Sequence, residues 1–140
     1  MFETVVVGAD GSPTAAEAAR VATELVKLSG GRLHIVTAYR PQQLRSAAGA
    51  EFASSLSSGD LAESVLAELA SRARTNGVET ATHLKDGAPA DAICEVAAEV
   101  KADVIVVGNK GMTGLRRVLG SVPNSVAHQA PCAVLIAFTT

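Results

Sequence analysis

"VIVVGNKGMTGLRRVLGSVPNS", residues 104–125, runs from an unbroken apolar stretch through a glycine-spaced loop into a helix start. Val104, Ile105, Val106 and Val107 are all β-branched, the composition of a strand covered on both faces. Gly108, Gly111, Gly114 and Gly120 space the loop, with Lys110, Arg116 and Arg117 among them, and Ser121 and Pro123 open a helical pattern. Glycines let backbone N–H groups approach an anion closely. A helix start adds unpaired N–H groups and the positive end of its dipole. The stretch therefore suits a bound phosphate. It also suits a plain turn with Ser121 as a helix N-cap, and for a lone G-x-x-G the plain turn is the stronger reading. The second Gly-Ser pair and the nearby basic residues favour the phosphate.

Outward from this stretch, the same strand–helix alternation repeats. "TVVVGAD" (4–10), "RLHIVTAY" (32–39), "DVIVVGN" (103–109) and "CAVLIAF" (132–138) read as buried strands, and the more alternating "VETATHL" (78–84) as one nearer an edge. Ser12 and Pro13 open a helix with Ala18, Val21, Ala22, Leu25 and Leu28 inward, closed by Gly30-Gly31. Asp60 and Glu63 have capping-box spacing, which predicts a helix from Asp60 to Asn76-Gly77 with Leu61, Val65, Leu69 and Ala73 inward. A third helix is predicted near Pro89, with Ile93, Val96, Ala97 and Val100 inward, and a fourth from Ser121 to before Pro131. Such alternation implies an α/β protein, a doubly wound parallel sheet with helices on both faces. Residues 41–59, rich in Ser, Ala and Gly, are expected to form a mobile loop that could act as a lid.

Composition narrows the function. The 140 residues suit one domain spanning 1–140. No apolar run approaches the roughly 20 residues of a membrane span, and no signal peptide is visible, which points to the cytoplasm. A net charge of −2 argues against nucleic acid as partner, so an anionic ligand needs local donors. Cys94 and Cys132 fit no metal or redox pattern and read as small hydrophobes. His34 and His83 fall in strand patterns and read as structural, and three scattered histidines make no metal site. Ser121, His128 and Asp10 make no triad, because Ser121 and His128 lie seven residues apart along one helix. Neither G-x-G-x-x-G after the first strand nor G-x-x-x-x-G-K-[ST] is present. Ligands of doubly wound sheets bind where the strand order reverses. The ends of the first and fourth strands, Gly8-Ala9-Asp10-Gly11-Ser12 and Gly108-Asn109-Lys110-Gly111, would line one such crevice if the two strands are neighbours.

Taken together, "VVVGAD" followed by "GS", "GNKGMTGLRRVLGS" and "VPNSVAHQAPCAVLIAFTT" resemble the universal stress protein family over essentially the whole chain. Its G-x2-G-x9-G-[S/T] motif is matched by Gly108, Gly111 and Gly120-Ser121, with eight rather than nine residues between Gly111 and Gly120. The resemblance implies an open parallel five-stranded sheet of order 3-2-1-4-5. It implies an adenine-nucleotide site in which Asp10, beside Ala9, holds the ribose or adenine end and the Ala38 backbone reads the adenine edge. Gly108 and Gly111 would approach ribose and phosphates, and Gly120, Ser121 and the Val122 N–H would bind phosphates. Asp10 alternatively serves only as an Asx-turn residue. The implied ligand is ATP, with Mg2+ left open. Cyclic AMP is the alternative, because relatives with "GSVP" bind it and the shorter loop suits one phosphate. The family implies a homodimer through strand 132–138. With no evident general base or nucleophile, the chain reads as a stress-response binding module with little or no catalysis. A nucleotide-independent interaction protein and a slow ATPase are the competing readings.

Overall fold

The structure is a computed structural model that describes residues 1–39, 58–110 and 121–139. Five strands, β1 (Thr4–Gly8), β2 (Arg32–Tyr39), β3 (Glu79–Asp86), β4 (Val104–Gly108) and β5 (Ala133–Ala137), form one sheet in the order β3-β2-β1-β4-β5. Every neighbouring pair is parallel. Four helices are described: α1 (Pro13–Ser29), α2 (Ser58–Thr75), α3 (Pro89–Glu99) and α4 (Val122–Gln129).

The continuous β-branched runs are explained by two layers. Side chains alternate across a strand, so each central strand feeds both. Val5, Val7, Leu33, Ile35, Val104 and Val106 pack with α1 and α2, whereas Val6, Val36, Ile105 and Val107 pack with α3 and α4. The sheet's amino end is tied by Asp103, whose Oδ2 accepts from the N–H groups of Glu3 (3.0 Å) and Thr4 (2.9 Å). Beside it, Gly31 runs so close to β1 that a Cβ there would stand 1.8 Å from the Glu3 carbonyl oxygen.

The helix ends follow their local chemistry. Ser12 is the N-cap of α1, its Oγ accepting from the Ala15 N–H, and Gly30 closes the helix at φ +73°. Ser121 likewise caps α4, accepting from the Asn124 N–H at 3.4 Å.

Four expectations are corrected. The second helix, α2, begins at Ser58, so Asp60 stands in its first turn and is not a capping-box residue, and Ser58 and Gly59 belong to the helix rather than to a loop. The buried residues of α2 are Ala62, Leu66, Leu69, Ala70 and Ala73, while Leu61 is exposed. On α1 the buried stripe is Ala18, Ala19, Ala22, Thr23 and Val26, and Leu28 is 87 % exposed. Strand β3 spans Glu79–Asp86 and lies at the sheet edge, as expected; β5, read as a buried strand, is the opposite edge, with Ala133, Leu135 and Ile136 exposed. Residues 41–57, expected as a loop, and the loop positions Gly111, Gly114, Arg116, Arg117 and Gly120 lie outside the described residues.

Candidate functional site: a crevice between the ends of β1 and β4

The strand order reverses between β1 and β4, and crevices of doubly wound sheets open at that point. Gly8 and Gly108, the last residues of the two strands, floor it. A side chain on Gly8 would force Ile93 to move, and one on Gly108 would be tight against Thr139. A Cβ on Gly8 would stand 2.3 Å from Ile93 Cδ1 of α3; one on Gly108 would stand 3.0 Å from Thr139 Oγ1 and 3.6 Å from the Thr14 carbonyl oxygen of α1.

The β1 side holds Ala9, Asp10 and Ser12. Ala9 is buried and donates its N–H to the Val36 carbonyl at 2.9 Å, so that group is already used. The Asp10 Oδ1 accepts the Ser12 N–H at 2.9 Å, the Asx turn that sets up the α1 cap. Asp10 itself is exposed, and its Oδ2 takes no hydrogen bond among the described residues.

Across from Asp10, β2 extends past the end of β1. The Val36 carbonyl points towards β1, where it meets the Ala9 N–H, and the Tyr39 carbonyl points towards β3, where it meets the Gly87 N–H. In-plane direction alternates along a strand, so Ala38 aims its N–H and C=O the same way as Val36. The β1 register stops at Gly8 opposite Val36, which leaves that donor–acceptor pair without a strand to meet among the described residues. The Ala38 side chain packs against the α3 layer.

Because β4 and β5 are parallel, the connecting helix α4 starts at the carboxyl end of the sheet, the end at which the crevice opens. Asn124 gives its N–H to Ser121 Oγ, Ser125 gives its N–H to the Ser121 carbonyl, and Pro123 has none. The Val122 N–H is therefore the first-turn donor that the helix itself leaves unused. Lys110 stands exposed at the exit of β4.

Two long-range contacts had no signal in the local spacing. Thr139 donates both its N–H (2.8 Å) and its Oγ1 hydroxyl (3.0 Å) to Asn109 Oδ1, joining the exit of β4 to the segment after β5. His34 Nδ1 and His83 Nε2 lie 3.0 Å apart across β2 and β3, a hydrogen bond in which one ring donates and the other accepts. Burial is the main cause holding both imidazoles below their ordinary pKa. Burial also raises the Cys94 and Cys132 thiols, in keeping with their packing against the α3 and α4 layer. A cavity of about 890 Å³ lies between α1 and α2 from Gly11 to Asn76; it shares Ser12 with the β1 side of the crevice, but neither Gly108 nor Ser121 lines it. Among the described residues no helix is long and apolar enough to cross a membrane.

These features define an open, doubly wound α/β protein with a crevice at the switch point of its sheet, the place where ligands of such sheets bind. The chain belongs to the universal stress protein family, whose model matches residues 1–137. Universal stress protein Rv1636 of Mycobacterium tuberculosis is 36% identical over 99% of this chain and 98% of its own length. Among solved structures, a universal stress protein in complex with cAMP matches with a TM-score of 0.79 at 38% identity, covering 99% of this chain and 98% of its own. The universal stress protein from Archaeoglobus fulgidus in complex with dAMP matches with a TM-score of 0.69 at 28% identity, covering 97% and 98%.

Proposed function

We propose that this chain is an adenine-nucleotide-binding module of the stress response, with the nucleotide in the β1–β4 crevice. The observation that carries this reading is the open N–H and C=O pair of Ala38. Such a pair on one side of a strand complements the acceptor and donor on an adenine's edge, N1 and the N6 amine. Asp10, whose Oδ1 is fixed by the Ser12 N–H, offers Oδ2 to a ribose hydroxyl. Gly108 gives close backbone approach, and the Val122 N–H with Ser121 receives phosphate at the α4 start. Gly111 and Gly120 belong to the same proposal through the glycine motif.

Between the two ligands, cyclic AMP is favoured. The described part of α4 leaves one first-turn N–H, a complement sized for one phosphate, and the 38%-identical structural neighbour is a cAMP complex. ATP, with or without Mg2+, is the second reading, supported by the glycine motif from Gly108 to Ser121. The module acts by binding, and turnover is slow or absent. It works in the cytoplasm as a homodimer, a second copy pairing along β5. Leu135 (41 % exposed), Ile136 (38 %) and Phe138 (81 %) support that pairing, because apolar side chains gather at an open sheet edge.

Calorimetric titration with cyclic AMP and with ATP tests the reading, using Val122→Pro as the control. Proline is tolerated at the first helical position, and the extended backbone of Ser121 (φ −134°, ψ 170°) accepts a following proline. The variant therefore deletes one N–H while α4 keeps its start. A lost charge-assisted bond should weaken binding by roughly tenfold or more. Failure of the wild type to bind either nucleotide would overturn the proposal.

A further inference from the structure

The Asn109–Thr139 contact is more than the sheet needs. The β4–β5 ladder is already complete at Gly108 opposite Ala137. Beyond it the chain turns the Phe138 side chain to solvent and brings Thr139 back onto β4, where both its donors end on Asn109 Oδ1. Two donors on one oxygen fix the rotation of the Asn109 side chain and the path of the backbone that carries it. The clasp joins residues 30 apart in sequence, and the span between them holds Lys110, Ser121, Val122 and the whole of α4 and β5. Gly108 lies directly beneath: a Cβ on it would stand 3.0 Å from Thr139 Oγ1, 3.4 Å from Thr139 Cγ2 and 3.6 Å from the Thr14 carbonyl oxygen. The exit of β4, the start of α1 and Thr139 thus meet at one point on the crevice floor.

We propose that Asn109 is a positioning residue for the nucleotide site: clasped to Thr139, it holds the exit of β4 where the ligand needs it. This rests on the nucleotide-binding reading above. Asn109 need not touch the ligand. It limits how far Gly108 and Lys110 can move from the Val122 N–H across the crevice, so that less ordering remains to be done when a nucleotide enters.

The test compares cyclic AMP and ATP affinities with thermal melting for the wild type, Thr139→Val, Thr139→Ser and Asn109→Leu. Thr139→Val keeps the shape and the backbone donor but loses the hydroxyl, and one lost hydrogen bond corresponds to an affinity loss of roughly fivefold. Asn109→Leu removes the acceptor for both donors and should lose more. Thr139→Ser keeps both donors and should bind like the wild type. The melting temperature of Thr139→Val should stay within about 3 °C of the wild type, since the β4–β5 ladder is untouched. If Asn109→Leu fails to fold, the Val and Ser pair decides alone. Wild-type binding with undiminished affinity in Thr139→Val and Asn109→Leu would overturn the clasp's role and leave the nucleotide reading standing. Affinity that falls only in step with melting temperature, or that serine does not restore, would also overturn it. Wild type that binds neither ligand would fell the nucleotide reading and this proposal with it.

Discussion

Thr37 on β2 is 3 % exposed, and its hydroxyl oxygen is buried with no hydrogen-bond partner among the described residues. The other buried threonines are provided for: Thr23 Oγ1 donates to the Ala19 carbonyl at 2.8 Å and Thr80 Oγ1 to the Val78 carbonyl at 3.0 Å. An unsatisfied buried hydroxyl costs about 1–3 kcal/mol, and valine has nearly the same shape without it. Thr37→Val should therefore stabilise the fold by about 1 kcal/mol, raising the melting temperature by roughly 3 °C. A lower melting temperature in the variant would show that the hydroxyl has a partner after all. At this scale the sequence was legible where a residue's role is local. Ser12, Pro13, Gly30 and Ser121 cap the helices as their types and spacing imply. Thr37 was not legible, because nothing in a β-strand pattern tells a satisfied threonine from an orphaned one.

The same division between local and distant information holds for whole elements. Leu61, Val65, Leu69 and Ala73 step by four, and four residues turn a helix about 40° past a full circle, so Leu61 and Ala73 point about 120° apart. A four-step stripe cannot all face one core, and the packing selects Ala62, Leu66, Leu69, Ala70 and Ala73. The histidine pair is a long-range counterpart, joining two strands through residues 49 apart in sequence. Edge strand β3 is held to β2 by the His34–His83 bond and to α3 by Lys85, which pairs with Glu95 and Glu99. Burial lowers the His34 pKa most, His83 and Arg32 add to the effect, and Glu79 opposes it. Burial also leads for His83, with Glu99 opposing and Lys85 reinforcing. Because folding lowers both values, the unfolded chain binds more protons near the ordinary pKa of about 6.5. The pair's contribution to stability is full above that value and is lost as pH falls through the lower folded-state values. Urea midpoints should fall between about pH 8 and about pH 5, and His83→Gln, which bonds without titrating, should flatten the slope. An equal slope in the variant would clear the pair of any role.

For the whole molecule, alternation of strands and helices was enough to predict a parallel sheet with helices on both faces, and the resemblance supplied the order that places β1 beside β4. The places of Asp10, Gly108 and Ser121 were legible too, because strand ends and a helix cap follow from the pattern. The contacts that close the fold were not. Asp103 reaches Glu3 across 100 residues and Asn109 reaches Thr139 across 30, and neither pairing leaves a mark on neighbouring sequence. The second of these ties the segment after the outer strand to the crevice at the end of β4. In the proposed homodimer, a partner copy that grips β5 would also grip the segment whose far end is fastened to the floor of the proposed nucleotide site. By thermodynamic reciprocity, any help that dimerisation gives to nucleotide binding must be returned in equal factor as help from the nucleotide to dimerisation. Sedimentation at graded protein concentrations, with and without cyclic AMP, should show the dimer constant shifting with ligand in the wild type and not in Thr139→Val; a ligand-independent constant in the wild type would break the link. If both proposals hold, the exposed edge of such a sheet serves as an input: whatever occupies it would set how tightly the opposite side of β4 holds a nucleotide.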